Sequence, residues 1–295
     1  MIMRPALLLL CIAAIGVLEA CTPEPPAGAW PAEAPVAVAA EAAALTVNVL
    51  DCGTIAISDL DAFSSAGDFA GQADELTNTC YLINHPKGRL LWDLGLPSQL
   101  AGSPPFTQQI FTLSLNQTIS DQLAALGLTP SELTYVSVSH SHFDHVGQVD
   151  QVKGATWLVN QAEYDAMFPP QGSALTDPTL APVYAIFQRM RRQIIGDEHD
   201  VFGDGSVVIF ATPGHTPGHA SLQLKMPEAG TVLLTGDLYH RSESRPLNRV
   251  PRFNFNQDQT LTSMAAFERR ATDQAAKVII QHEPQDVTPL GGVIR

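Results

Sequence analysis

Residues 140–145 read His140-Ser141-His142-Phe143-Asp144-His145, three imidazoles and a carboxylate directly after the apolar run Tyr135–Val138. So many polar groups do not fill a core, because each one buried without a partner costs several kcal/mol. In extended backbone the side chains alternate, so His140 and His142 point the same way and one metal ion can take both. Asp144 and His145 then turn towards a second centre. Neutral imidazole and carboxylate suit zinc and related first-row divalent ions.

Three further pieces follow in chain order. Thr212-Pro213-Gly214-His215-Thr216-Pro217-Gly218-His219 comes after the strand-like Val207–Ala211. Its glycines and prolines shape a rigid loop that can aim His215 as a ligand, with His219 read as structural support. Thr231–Leu234 runs into Thr235-Gly236-Asp237, and Val278-Ile279-Ile280 into Gln281-His282-Glu283. A lone strand-end aspartate is more often a turn residue, so each piece alone says little. As an ordered set they add His215, Asp237 and His282 to His140, His142, Asp144 and His145. That is enough for two metal ions and a water.

The elements that must position this set are short. Leu45–Leu50 alternates apolar and polar residues, as a strand does. Thr79–Ile83 and Arg89–Trp92 read as a hairpin around a turn at Asn84–Gly88. Ala155–Val159, Ser206–Ala211 and Ala220–Leu224 are further apolar strands. Thr129-Pro130-Ser131-Glu132 carries the pattern of a capped helix start. Helices are expected over Ile119–Leu126, Gln161–Phe168, Leu180–Ile195 and Gln259–Ala276, with Arg189, Arg191 and Arg192 on a solvated helix face. Neither an internal linker nor a fixed-period repeat interrupts residues 45–295, which read as one domain.

The 295 residues are 45% hydrophobic, ample for a core, and carry a net charge of −14. That balance argues against a nucleic-acid partner, since binding phosphates requires a basic footprint. Arg4 precedes an apolar run, Ala6–Leu18, shorter than the ~20 residues a membrane helix needs. Leu18-Glu19-Ala20-Cys21 resembles the lipobox of bacterial lipoproteins. Residues 1–20 therefore read as a lipoprotein-type signal peptide and 21–44 as an Ala/Pro-rich tether. The expectation is an exported chain, periplasmic or anchored to the outer membrane through a lipid on Cys21, or secreted. Cys52 and Cys80 are expected as buried free thiols, because one pair is no disulfide framework.

The chain resembles the metallo-β-lactamase superfamily, whose H-x-H-x-D-H signature stands here as His140 to His145. The resemblance implies an α+β fold, an αββα sandwich with two mixed β-sheets face to face and helices on both outer faces. It assigns His140, His142 and His215 to one divalent ion, and Asp144, His145 and His282 to the other. Asp237 bridges, and Asp93 supports the metal loops from behind. Zinc suits the donors best, and iron, manganese or cobalt are accepted by the same set. True β-lactamases of this fold lack the bridging aspartate, which counts against antibiotic hydrolysis.

In wording, Ser139–Gly147, Thr212–Ser221, Val232–Asp237, Asn160–Tyr164 and Val250-Pro251 are most similar to the N-acyl-homoserine lactonases. That implies a hydroxide shared by the two ions attacking a lactone carbonyl, with Asp144 passing a proton to the leaving oxygen. Those lactonases place a tyrosine three residues after the bridging aspartate, where this chain has His240, with Tyr239 one residue earlier. Either Tyr239 or His240 would donate to the oxyanion. A histidine there is also similar to secreted organophosphate triesterases of the superfamily, so a triester, ester or thioester is the alternative substrate. Met167, Phe168, Phe187 and Phe253 are candidates for an acyl-chain groove, with core packing as their competing fate. A small-molecule lactone or ester is the expected partner, and a homodimer is compatible with the resemblance.

Overall fold

The computed structural model describes residues 44–170, 173 and 177–295. The expected signal peptide, and the expected tether up to residue 43, lie outside the described residues.

The first sheet takes β1 (Thr46–Ile57), β2 (Asp74–His85), β3 (Gly88–Trp92), β4 (Phe106–Gln108), β5 (Phe111–Ser114), β6 (Tyr135–Ser137), β7 (Thr156–Asn160) and β8 (Arg192–Ile195). Its order is β4-β5-β1-β2-β3-β6-β7-β8. The second sheet takes β9 (Glu198–Asp200), β10 (Val207–Ala211), β11 (Ala220–Met226), β12 (Gly230–Leu234) and β13 (Lys277–Ile279). Its order is β13-β12-β11-β10-β9, and β14 (Val293–Ile294) returns to pair with β1. The helices are α1 (Ile119–Ala125), α2 (Phe143–Val146), α3 (Val149–Val152), α4 (Gln161–Met167), α5 (Ala181–Arg189), α6 (Ser244–Leu247), α7 (Gln257–Asp273) and α8 (Pro284–Val287).

Side-chain alternation along the strands builds the layers. Tyr81, Ile83, Leu90 and Trp92 of β2 and β3 pack with Val207, Leu222, Val232 and Leu234 of the second sheet. Cys80, Leu82 and Leu91 face the other way, joining Ile119, Leu123 and Phe187 of α1 and α5. On the far side, Met264, Phe267 and Ala271 form one stripe of α7 against Phe210 and Leu233. The result is the expected α+β sandwich, helix–sheet–sheet–helix. With both faces covered, the strands read as near-continuous apolar runs. Trp92 is fully buried between the sheets, and its truncation to alanine costs about 3–5 kcal/mol.

Strands β3, β6 and β7 run parallel, as do β12 and β13. Their carboxyl ends therefore open at one edge of the sandwich, where Asp93, His140, Asp237 and His282 follow within a few residues.

Three expectations are corrected. Cys52 and Cys80 are joined as a disulfide. A bulge between Asp51 and Gly53 in the β1–β2 ladder sets Cys52 facing Cys80 on the neighbouring strand, a juxtaposition invisible to spacing alone. The helix expected over Leu180–Ile195 stops at Arg189, and Arg192–Ile195 pairs with β7. Cross-strand pairing overrides helical propensity there, so Arg192 is exposed at the start of edge strand β8 and Arg191 just before it, neither of them on a helix. Thr129 does cap a turn, but Pro130–Glu132 is a single 3-10 turn before β6.

Candidate metal centre

Two groups of donors converge: His140, His142, His215 and Asp237, and beside them Asp144, His145 and His282. In the first, His142 Nδ1 lies 2.9 Å from His140 Nε2 and 3.0 Å from His215 Nε2. In the second, the Nε2 atoms of His145 and His282 are 3.2 Å apart, each 3.5 Å from Asp144 Oδ2. Asp237 spans both. Its Oδ2 faces His140 and His215 at 3.6 and 3.5 Å, and its Oδ1 faces His145 and His282 at 3.1 and 3.0 Å. Donors on one tetrahedral zinc stand roughly 3.3 Å apart, given bonds of about 2.0–2.1 Å. The spacing fits. Asp237 Oδ1 is also buried without a hydrogen bond, an orphan that a cation would satisfy.

The opposite ring nitrogens of His140, His145, His215 and His282 have partners that fix each ring's tautomer and aim. Ser139 Oγ stands 3.0 Å from His140 Nδ1 and 3.1 Å from His145 Nδ1, holding one ligand of each group. His282 Nδ1 donates to the Thr77 carbonyl at 2.8 Å, and His215 Nδ1 to Asn254 Oδ1 at 3.3 Å. Asp93, expected as support, accepts from the Ser139 amide at 2.6 Å and from Gln281 Nε2 at 2.7 Å, and approaches His145 Nδ1 at 3.1 Å. Asp93 holds a left-handed backbone, φ 63°, which aspartate tolerates better than most residues. His219 supports rather than ligates. Its Nδ1 donates to the Thr212 carbonyl, and its Nε2 accepts the Asp237 amide at 2.9 Å.

The electrostatics divide the two groups. Burial, with His145 and the other imidazoles, holds His140 well below the ordinary histidine value, and burial with His215 pushes His142 down to about 3. Burial also opposes charge on His145, yet Asp237, Asp144 and Asp93 outweigh it and raise its pKa well above the ordinary value. His282 is raised the same way by Asp237. Burial disfavours charge on Asp237, but His145, His282 and His240 hold its carboxyl well below the usual range.

The donors open into a narrow pocket walled by Ile55, Phe63, Leu76, Phe111, Phe143 and Phe253, with His240 among the polar lining. His240 Nε2 lies 3.0 Å from Asp237 Oδ2. Tyr239 is corrected out of the site: its hydroxyl donates to Glu268, and its ring packs behind the second sheet with Phe267. Tyr239 is extended, so adjacent side chains leave on opposite sides, and His240 takes the pocket. Met167, Phe168 and Phe187 pack around Trp157 in the core. Of the four groove candidates, only Phe253 reaches the pocket. Ser139, Asn254, Gln281 and the Thr77 carbonyl went unread as supports, and only Ser139, next to the signature, carried a signal.

Fold and donor set together define a metallohydrolase of αββα type. The family profile of the metallo-beta-lactamase superfamily matches residues 73–282, and the chain belongs to that superfamily. It is similar to the proteins named N-acyl homoserine lactonase AttM from Rhizobium radiobacter and Rhizobium johnstonii. The identities are 29% over 214 residues and 30% over 216, each match covering 69% of this chain and 81% of the relative. A solved N-acyl homoserine lactone hydrolase, with the product N-hexanoyl-L-homoserine at its catalytic metal centre, shares the fold. Its TM-score is 0.70 at 23% identity, covering 83% of this chain and 96% of that one.

Proposed function

We propose that the protein opens the ring of N-acyl-homoserine lactones, which would silence bacterial signalling that uses them. The observation that carries this reading is the apolar pocket meeting the donor groups: Phe63, Phe111, Phe143 and Phe253 wall the space in front of Asp144, Asp237 and His240. A fatty-acyl amide suits that wall, and the lactone head would then rest against the donors. The named relatives support the same substrate class.

Two divalent ions, zinc by preference, would supply an acidified water and a Lewis acid for the carbonyl. The chain's own residues do the rest. Asp237, one oxygen towards each donor group, fixes their separation. The attack forms a carbon–oxygen bond at the carbonyl and breaks the ring ester bond. Asp144, buried beside His145 and facing the pocket, takes the proton released by the water and returns it to the ring oxygen. The product is the open N-acyl-homoserine. His240 orients the carbonyl oxygen from the pocket side.

His240 also keeps a second reading in view, hydrolysis of organophosphate triesters or thioesters. A pH-stat assay with short- and long-chain acyl-homoserine lactones, a paraoxon-type triester and a thioester separates the two. Acid release from the lactones at rates well above the other substrates supports the proposal, and triester turnover with inert lactones rejects it. Export with a lipid on Cys21 is proposed from the sequence. Its test is incorporation of labelled palmitate that Cys21→Ser abolishes.

A further inference from the structure

Glu163 is a buried carboxylate outside the donor set, on the first turn of α4, in the stretch Asn160-Gln161-Ala162-Glu163-Tyr164. Its Oε1 accepts the Ser141 amide at 2.7 Å. Its Oε2 accepts the Thr216 hydroxyl at 2.8 Å and the Gly218 amide at 2.9 Å. Ser141 stands between His140 and His142, while Thr216 follows His215 directly. The carbonyl of Ser141 is held in turn by the Tyr184 hydroxyl at 2.8 Å. Asn160 completes the clamp, accepting the Glu163 amide at 2.9 Å and donating to the Gly218 carbonyl. The fit leaves no slack: a Cβ on Gly218 would lie 2.2 Å from the Glu163 nitrogen.

We propose that Glu163 is the positioning residue of the His140–His142–His215 group, stapling the two loops that supply its imidazoles and placing a buried negative charge behind the cation they would hold. None of the ion pairs among the described residues includes Glu163, so its three partners are neutral donors. A buried anion with only neutral partners is costly unless a nearby positive charge compensates it. The cation of the adjacent group is that charge. This inference rests on the metal-holding part of the proposed function and not on the identity of the substrate.

Glu163→Gln tests it. The amide keeps one acceptor oxygen but turns an NH2 towards an N–H donor and removes the charge. The readouts are retention of metal against a chelator and the visible spectrum of the cobalt-substituted protein. The expected result is roughly ten- to a hundredfold weaker retention of one ion, a changed cobalt spectrum, and unchanged retention of the ion at Asp144, His145 and His282. Retention of both ions within about twofold of the parent overturns the proposal, as does equal loss of both. Should Glu163→Gln fail to fold, Thr216→Val removes one bond and leaves the carboxylate. It is expected to weaken the same ion severalfold, and an unaltered affinity and spectrum overturn the proposal equally. Lactonase activity enters none of these outcomes, so they stand apart from the substrate assay.

Discussion

The hydroxyl of Tyr239 donates to Glu268 Oε1 at 2.9 Å, turned away from the pocket that its neighbour His240 lines. Arg245 closes the same carboxylate from the other side, with two bonds of 2.8 Å. Tyr239 therefore serves the packing of α7, and His240 serves the site. Tyr239→Phe is expected to cost about 1 kcal/mol of stability and leave kcat/KM within twofold. His240→Ala is expected to lower kcat/KM by about 100-fold with little change in melting temperature. Steady-state kinetics and thermal melts on both variants check the division.

Asp237 turns one oxygen towards each donor group, at 3.0–3.1 Å on one side and 3.5–3.6 Å on the other. Asp237→Ala is expected to lose at least one ion and all measurable turnover. The measurement is metal content by mass spectrometry alongside the lactone assay. Full activity in that variant contradicts a shared carboxylate.

The two groups should load differently with pH. His140 and His142 are held low by burial, so they are already neutral and ready to bind a cation in mild acid. His145 and His282 are raised by their aspartates, so at the same pH they carry protons that a cation must displace. As pH falls, the ion at Asp144, His145 and His282 is expected to leave first. Equilibrium dialysis between about pH 5 and 8 should show stoichiometry falling in two steps, and simultaneous loss would contradict the assignment.

The Cys52–Cys80 bond closes a separation of 28 residues, and breaking it is expected to cost about 2–4 kcal/mol. For a domain of this size that is a drop of several degrees in melting temperature. Neither cysteine belongs to a donor group, so the Cys52→Ser/Cys80→Ser double variant should keep its metal. Thermal melts with and without reductant, paired with metal analysis, test both halves.

The strand–loop–strand grammar of the site was legible because its donors follow short apolar strands directly, where local pattern and global position coincide. His140 to His145, His215, Asp237 and His282 could be read for that reason, and so could the hairpin of β2 and β3. What escaped depends on distant pairing. Arg192–Ile195 is a strand only because β7 lies beside it, and the disulfide exists only because a bulge sets β1 against β2. Asn254 reaches His215 across 39 positions, with nothing in its neighbourhood to announce it. The choice between Tyr239 and His240 turned on one residue of alternation, which the backbone decides and composition does not.

The most direct test is the metal content of freshly purified, unchelated protein. About two divalent ions per chain are expected, one for each donor group with Asp237 between them. Less than one ion per chain, in protein that is folded and was never exposed to chelator, would contradict a paired metal centre.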